Sequence, residues 1–520
     1  MKNKCQDVFD SAKKIDGYNI FFALLSGFLL FLSFPKFGLG FIAWIAFVPL
    51  FIALRDVVSI RQAIWLGLIT GITAHVGMIY WIAYVVVHYG HLPFYRGVII
   101  MLLLACYLSL YVAIFAAGIV FLREKIALYL TAPVLWICLE YGKSYLFTGF
   151  PWENLGYSQY SYYFLIQIAD IAGVYGLSFL VMLLNATIYE VMTEKSRKTI
   201  VLTIAVSLLW MGVYTYGIAR IAQISRIQDA APGMDVSLIQ GNIDQSIKWN
   251  EHYQKETIDI YEELSLRHPV AKERLLVWPE TAVPFDYQDE SNLKRRVEEI
   301  ARKSKSWFIF GSMSYEMNES RKDYYNSAYL LSPEGKVHGR YDKVHLVPYG
   351  EYVPLRKIFP FITALATDIG DFSTGTGFLP VNIGGKKIGV LICYEGILAE
   401  AARSYKNASA ELLVNITNDA WFGTSSAPYQ HFSMSIFRAI ETRLYFVRAA
   451  NTGISAIVDA TGRIIRRTDL FKKDEISGNI KFMNTTTVYA KSGNWLVYAS
   501  FAVLAAFFLT GMKGRIKNDG

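Results

Sequence analysis

The chain has 520 residues, 53% of them hydrophobic and only 18% charged, with a formal net charge of +8. Soluble domains carry more charge than this, and the apolar residues are unevenly spread, so a wholly soluble protein is excluded. The positive balance requires no nucleic-acid partner, because much of it lies in short segments between apolar runs.

Charge-poor runs fill the region from Tyr18 to Ala219 and return from Trp495 to Thr510. A bilayer-spanning helix needs about 20 apolar residues. The predicted spans number eight: Tyr18–Ser33, Leu39–Leu54, Ala63–Val87, Val98–Leu122, Ile126–Phe147, Leu165–Val191, Thr199–Ile218 and Trp495–Met512. Only "FPKFGLG" separates the first two, which predicts a tight hairpin. Three regions follow: an α-helical polytopic membrane bundle over 1–222, a catalytic domain over 229–488, and a last span with its tail over 494–520. Lys and Arg collect on the cytoplasmic side of membranes. Here they gather at Lys13, Lys14, Arg55, Arg61, Arg123, Lys125, Lys195, Arg197, Lys198, Lys513 and Arg515, while the alternate loops hold only Lys36, Arg96 and Lys143. Both termini are therefore expected inside and the large domain outside. Glu140 and Asp170 are the main intramembrane charges, with no paired relay evident. The first apolar run lacks a clear cleavage site and leads directly into further spans, so it reads as a span rather than a signal peptide.

From Met234 short β-rich runs alternate with helical stretches. "MDVSLIQGN", "RLLVWPE", "WFIFGSMSY", "KKIGVLICYEG" and "AELLVNITND" read as strands. "HYQKETIDIYEELSLR", "SNLKRRVEEIARKS" and "QHFSMSIFRAIETRLYFVRAA" read as helices. Hairpins turn at Pro333-Glu334-Gly335 and at Thr461-Gly462. This alternation predicts an α/β domain of layered sheets and helices. Asn-x-Ser/Thr sequons at Asn318, Asn407, Asn415 and Asn484 occur at chance frequency. "FITALATDIGDFSTGTGF" reads either as a lid or as an ordinary long loop. Trp421, Phe422 and Tyr429 either line a lipid entrance or anchor at the bilayer surface.

The cysteines are Cys5, Cys106, Cys138 and Cys393, and only Cys393 falls in the external domain. It has no partner there for a disulfide and no metal-ligand spacing. Three strand ends each deliver a reactive group: Glu280 in "LLVWPETAVP", Lys343 in "YDKVHLVPYGEYVP" and Cys393 in "LICYEG". A thiol attacking an acyl carbon needs a base, a cation or donors for the oxyanion, and a turn that exposes the sulfur. Glu, Lys and Cys supply these roles without histidine, and strand ends are where α/β folds place their sites. Each also has a plainer structural reading. Glu280 can cap a turn, Lys343 can pair with Asp342 in solvent, Glu351 and Glu395 can pair with surface bases, and Cys393 can be a small core residue. His345 and His431 read as structural. Spacing alone leaves both readings open.

Together, "VWPETAVP", "YDKVHLVPYGEYVP" and "ICYEG" resemble the nitrilase superfamily, as do "NITNDAWFG" and "RAIETRLYFVRAANTGISAIVDATGR". Within it, "FTGFPWENLGYSQ" and "IQGNIDQSIKW" resemble the apolipoprotein N-acyltransferase family. The resemblance implies an αββα sandwich with a Glu280–Lys343–Cys393 triad. Glu351, Glu395, Tyr394, Trp249 and Asn326 would support it or shape the substrate site. It implies transfer of an acyl chain from a membrane phospholipid, through a Cys393 thioester, to the N-terminal amine of diacylglyceryl-cysteine in apolipoproteins. It implies no metal or cofactor, and a multi-pass protein of the bacterial inner membrane with its catalytic domain on the periplasmic side and both termini cytoplasmic; nothing in the spans demands more than a monomer. Two alternatives stay open: a membrane-tethered amidase-type hydrolase, and a non-catalytic membrane scaffold.

Overall fold

A computed structural model describes residues 15–248, 250–268, 273–318, 321–352 and 371–516. The chain divides into two compact units, one running to Ala219 and resuming at Asn494, the other Arg220–Gly493.

The first unit is helical: α1 (Gly17–Leu32), α2 (Val48–Leu54), α3 (Ile60–Ile79), α4 (Trp81–His88), α5 (Phe94–Leu122), α6 (Leu128–Tyr145), α7 (Ala169–Thr193) and the start of α8 (Arg197–Ala230). Among the described residues, four helices are long and apolar enough to cross a membrane: Ile60–Ile79, Phe94–Leu122, Leu165–Thr193 and Arg197–Ala230. Gly17–Leu32, Gly40–Leu54 and Trp495–Phe507 are shorter apolar helices. The expected span Ala63–Val87 divides at Tyr80, between α3 and α4.

The expected span Leu39–Leu54 is likewise broken, into a 3-10 turn at Gly40–Trp44 and α2. A break inside an apolar bundle frees backbone groups that must be satisfied. Asn185 of α7 satisfies them, donating to the Ala43 carbonyl and accepting from the Phe47 N–H, both at 2.8 Å. Small residues set the close packing of α3 on α5. A side chain at Gly67 would meet the Ala113 backbone at 2.6 Å, and one at Gly71 would meet Ser109 at 2.7 Å. Such stripes let apolar helices approach closely.

The intramembrane charges differ from expectation. Lys143 is not a loop residue but joins Glu140 inside the bundle. Both are buried, one turn apart on α6. Glu140 accepts the Leu155 N–H at 2.5 Å, and Lys143 donates to the Trp152 carbonyl at 3.0 Å. The pair thus ties down the "PWENL" stretch after α6. Asp170 accepts the Tyr216 hydroxyl at 2.7 Å.

The second unit holds strands β1 (Gly233–Gln240), β2 (Arg274–Val277), β3 (Ser306–Asn318), β4 (Arg321–Leu331), β5 (Val337–Asp342), β6 (Val381–Ile383), β7 (Lys386–Ile392), β8 (Leu412–Thr417), β9 (Tyr445–Ala450), β10 (Ala456–Val458), β11 (Ile464–Arg467) and β12 (Asp474–Lys481). They form two sheets, ordered β12-β1-β2-β3-β4-β5 and β11-β10-β9-β8-β7-β6. Each sheet has a parallel centre, β1-β2-β3 in one and β7-β8-β9 in the other, flanked by antiparallel strands. The sheets face each other through β1 against β9 and β4 against β7. Helices α9 (Glu251–Leu266) and α10 (Asn292–Ser304) cover one outer face, and α11 (Ala399–Asn407) and α12 (Ala427–Thr442) the other, giving an αββα sandwich.

Amphipathic patterning explains the layers. Ile258, Tyr261 and Leu264 of α9 and Val297 and Ile300 of α10 bury against Trp278, Phe308 and Phe310. Ser291 caps α10 by accepting the Lys294 N–H at 3.0 Å. One expected helix is too long: "QHFSMSIFRAIETRLYFVRAA" is helical only to Thr442. Arg443 turns left-handed (φ 53°), and Tyr445–Ala450 then pairs in parallel with β8. The β-rich "YFV" and the need to fill the sheet override the helical periodicity.

Candidate active site

The parallel strands all end at one edge, and the site is built there. After β2, Trp278 donates its N–H to the Ile309 carbonyl (2.8 Å), and Gly311 donates to the Pro279 carbonyl (3.1 Å). A Cβ at Gly311 would lie 2.3 Å from the Thr281 nitrogen and 2.6 Å from the Glu280 Cα. Only glycine allows β3 to press so closely on this turn, and the turn delivers Glu280.

Glu280 is buried. Its Oε1 accepts from Asn326 Nδ2 (2.8 Å) and lies 3.7 Å from Lys343 Nζ, while its Oε2 accepts the Asn418 N–H (2.9 Å). Lys343 is 1% exposed, and its ammonium bonds Glu351 at 2.9 and 2.8 Å. Asn326 Nδ2 bridges the two carboxylates, donating also to Glu351 Oε1 at 2.8 Å. Burial alone would lower the Lys343 ammonium, but Glu351, then Glu280 and Cys393, hold it above the ordinary lysine value. It stays charged.

Cys393 follows β7 in a left-handed conformation (φ 54°) and opens a 3-10 turn, Cys393–Ile397. That conformation is costly for a residue with a Cβ, on the order of 1–2 kcal/mol. Glu395 holds the turn in place. Fully buried, it accepts the N–H groups of Ile392 (2.8 Å), Val344 (2.8 Å) and His345 (2.9 Å) and the Tyr341 hydroxyl (2.9 Å). It thereby locks the cysteine turn to the segment after Lys343. The Tyr394 ring stacks on His345 at 5.8 Å. The thiol is partly open by surface area yet densely surrounded. Burial first, then the charge of Glu280, push it up to about 12, against Lys343 and a hydrogen bond from Thr417. The resting group is a neutral thiol beside a carboxylate and an ammonium, a constellation suited to nucleophilic acyl chemistry.

The profile described as apolipoprotein N-acyltransferase N-terminal domain matches residues 26–187, and that of carbon-nitrogen hydrolase matches 235–489. The apolipoprotein N-acyltransferase of Geobacter metallireducens is 45% identical over 496 residues, covering 93% of this chain and 94% of that protein. The enzyme so named in Nitrosomonas europaea is 34% identical, covering 86% and 89%. The chain belongs to the apolipoprotein N-acyltransferase family. It is thus an acyltransferase with a carbon-nitrogen hydrolase domain, and neither the hydrolase nor the scaffold alternative is favoured.

In this member of the apolipoprotein N-acyltransferase family, the structure brings Glu280, Lys343, Cys393, Glu351, Glu395, Tyr394 and Asn326 to one edge. Trp249 and residues 353–370, which include most of the expected lid, lie outside the described residues. Sequence reasoning missed a buried layer beneath the cysteine. Asn415 donates to the carbonyls of Leu391 (3.1 Å) and Cys393 (3.2 Å), and its Oδ1 accepts from Arg448 at 2.6 Å. Arg448 also holds Asp419 (2.8 Å), which pairs with His431 at 2.9 Å. Burial would raise Asp419, but Arg448 and His431 keep it well below the carboxylate range. Asn415 is completely buried, so its sequon is not a modification site. The missed signal was a polar residue ending each parallel strand, as in "NITND" and "RAAN". Lys248, buried beside Glu280, was missed too.

Proposed function

We propose that the chain transfers an acyl chain from a membrane phospholipid to the N-terminal amine of diacylglyceryl-cysteine in apolipoproteins. The observation that carries this reading is Cys393, held in a left-handed turn within electrostatic reach of the buried Glu280 and Lys343. Glu280 takes the thiol proton as sulfur attacks the ester carbonyl. Lys343, with the Tyr394 N–H, faces the oxyanion. The ester C–O bond breaks, Glu280 returns the proton to the departing lysophospholipid oxygen, and a thioester remains. The lipoprotein amine then attacks the thioester, Glu280 takes its proton, and Cys393 leaves and is reprotonated. Asn326 and Glu351 hold Glu280 and Lys343 in register, Glu395 holds the cysteine turn, and Trp249 helps shape the substrate site.

The same reading places the chain in a bacterial inner membrane as a monomer with eight spans over residues 1–222 and 494–520. The catalytic domain, 229–488, lies on the periplasmic side and both termini in the cytoplasm. Four long apolar helices and the Lys and Arg asymmetry support it. The test uses purified protein and a phospholipid labelled in its sn-1 chain. Label should be trapped on Cys393 and move to the amine of an added diacylglyceryl-cysteine peptide. Label leaving only as free fatty acid, or never reaching Cys393 in folded protein, overturns the reading.

A further inference from the structure

Lys248 lies in the segment that follows β1 and reaches the backbone of the Glu280 turn, whereas Lys343 reaches its carboxylate. It is 1% exposed, and its ammonium donates to the Glu280 carbonyl at 3.1 Å and to Thr281 Oγ1 at 2.5 Å. Both acceptors are neutral. A buried ammonium that, among the described residues, bonds only neutral oxygens is an expensive way to brace a turn, because a glutamine would offer donors without the desolvated charge. The charge therefore needs its own reason.

Charge placement supplies one. Lys343 is bound at 2.9 and 2.8 Å by Glu351 and stands 3.7 Å from Glu280, so its charge is largely matched already. Glu280 must nevertheless be ionised to act as a base, in a buried site it shares with Cys393. The groups facing it are Lys343, Glu351 through Asn326, Cys393 and Lys248; Cys393 in turn faces Glu280, Lys343, Asp419 and Lys248. Lys248 is coupled electrostatically to both the base and the thiol, so its field acts on the pair wherever the proton sits. It also braces Thr281, a β-branched residue at φ 47°.

We propose that Lys248 is a positioning residue for the acyl transfer, fixing the Glu280–Thr281 turn and setting a second positive charge beside the base and the thiol. This rests on the function proposed above. Burial lowers Lys248 to about 8, with Glu280 and then Cys393 opposing, so it remains mostly charged at neutral pH.

The test compares Lys248→Gln, which retains donors but loses the charge, with Lys248→Met, which loses both. Acyl-enzyme formation is followed as a function of pH in full-length protein. Both variants should lose activity, about 10- to 100-fold at pH 7 with KM little changed, and the acidic limb of kcat/KM should move up by about one unit. A Lys248→Gln profile like wild type overturns the inference, because hydrogen bonding alone would then suffice. Thr281→Val keeps the ammonium and removes one of its acceptors, so its acidic limb should stay in place; a shift as large as that of Lys248→Gln also overturns the proposal. If neither Lys248 variant folds, any upward shift of the Thr281→Val limb overturns the proposal, since that variant keeps the charge. Cys393→Ala and Glu280→Gln run alongside: acyl-enzyme surviving in either would sink the parent mechanism, whatever Lys248 does.

Discussion

Cys393 is reactive through its neighbours rather than through its own acidity. Burial and the charge of Glu280 keep its proton on, at about 12, so free thiolate is scarce at neutral pH and acyl attack needs Glu280 to take the proton. Alkylation of Cys393 by a neutral haloacetamide, read by mass spectrometry, should therefore climb roughly tenfold per pH unit from pH 6 to 9 without levelling, where an ordinary thiol bends near 8.5. Glu280→Gln removes the negative charge that holds the proton on. It should speed alkylation at pH 9 while acyl-enzyme formation falls by about 10²–10⁴-fold. A plateau at ordinary pH in wild type, or alkylation at pH 9 unchanged in Glu280→Gln, would show that the charge of Glu280 does not hold the proton on this thiol. Glu395 makes the opposite point, that one carboxylate can be wholly architectural. Backbone N–H groups face both of its oxygens: Val344 and His345 on Oε1, and Ile392 on Oε2. In Glu395→Gln the amide NH₂ must oppose at least one of them, costing about 1–3 kcal/mol. Thermal unfolding should drop by roughly 5–10 °C and acyl-enzyme formation with it, and an unchanged melting temperature would refute the clamp. The sequence showed that these carboxylates exist, but all their donors except the Ile392 N–H come from segments more than 40 residues away, which spacing does not display.

At the scale of elements, the site is where parallel strands stop. β2 yields Glu280, β7 yields Cys393, and β8 yields Asn418 and Asp419, while β5 brings Lys343 to the same end. Runs such as "RLLV" and "LLVNIT" announced these strands through apolar, β-branched residues bounded by polar ones, so most of the sandwich was legible. The end of α12 was not, because its apolar positions continue without a break into β9 and only the left-handed Arg443 separates them. β12 has a mixed, half-exposed pattern and gave no strand signal. In the helical unit, the breaks near Trp44 and at Tyr80 were equally silent. The first depends on Asn185, from a distant helix, which satisfies the opened backbone. Gly311 shows how an element can set a catalytic distance. Gly311→Ala places a methyl within 2.3 Å of the Thr281 nitrogen, and since the obstacle is backbone, the Glu280 turn must move. A displacement of about 1 Å costs on the order of 10²-fold in rate. The expected result is a fall of that size in kcat, with KM and the melting temperature changed far less. Full activity would show that β3 has slack the packing does not suggest.

For the whole molecule, α8 raises the question of how a membrane unit hands over to a sandwich. At 34 residues it is about 50 Å long, against a hydrocarbon core of about 30 Å, so one continuous helix can cross the bilayer and carry the chain on towards β1. Its first turns are rich in Arg and Lys, at Arg197 and Lys198, and its last residues are polar. That polarity agrees with a crossing from the cytoplasm outwards. The existence of a membrane unit and a sandwich was plain from composition, because hydropathy changes sharply near Ala219. The number of crossings was less so, since short and broken apolar helices satisfy length rules poorly. The proposed topology makes a definite statement about both. Single cysteines at Asp56, Glu124 and Lys195, in a background lacking the native thiols other than Cys393, occupy exposed positions beside the Lys- and Arg-rich ends. They should react with a membrane-impermeant maleimide only after permeabilisation of spheroplasts. Cysteines at His91 and Thr148, exposed in the alternate connections, should react in intact spheroplasts. Glu124 and Thr148 flank α6, the helix whose buried Glu140 and Lys143 make it the least obvious crossing by hydropathy. If both label from the same side, α6 does not cross, the span count becomes odd or loses a further helix, and the two termini can no longer share the cytoplasmic face with an external sandwich unless another helix compensates.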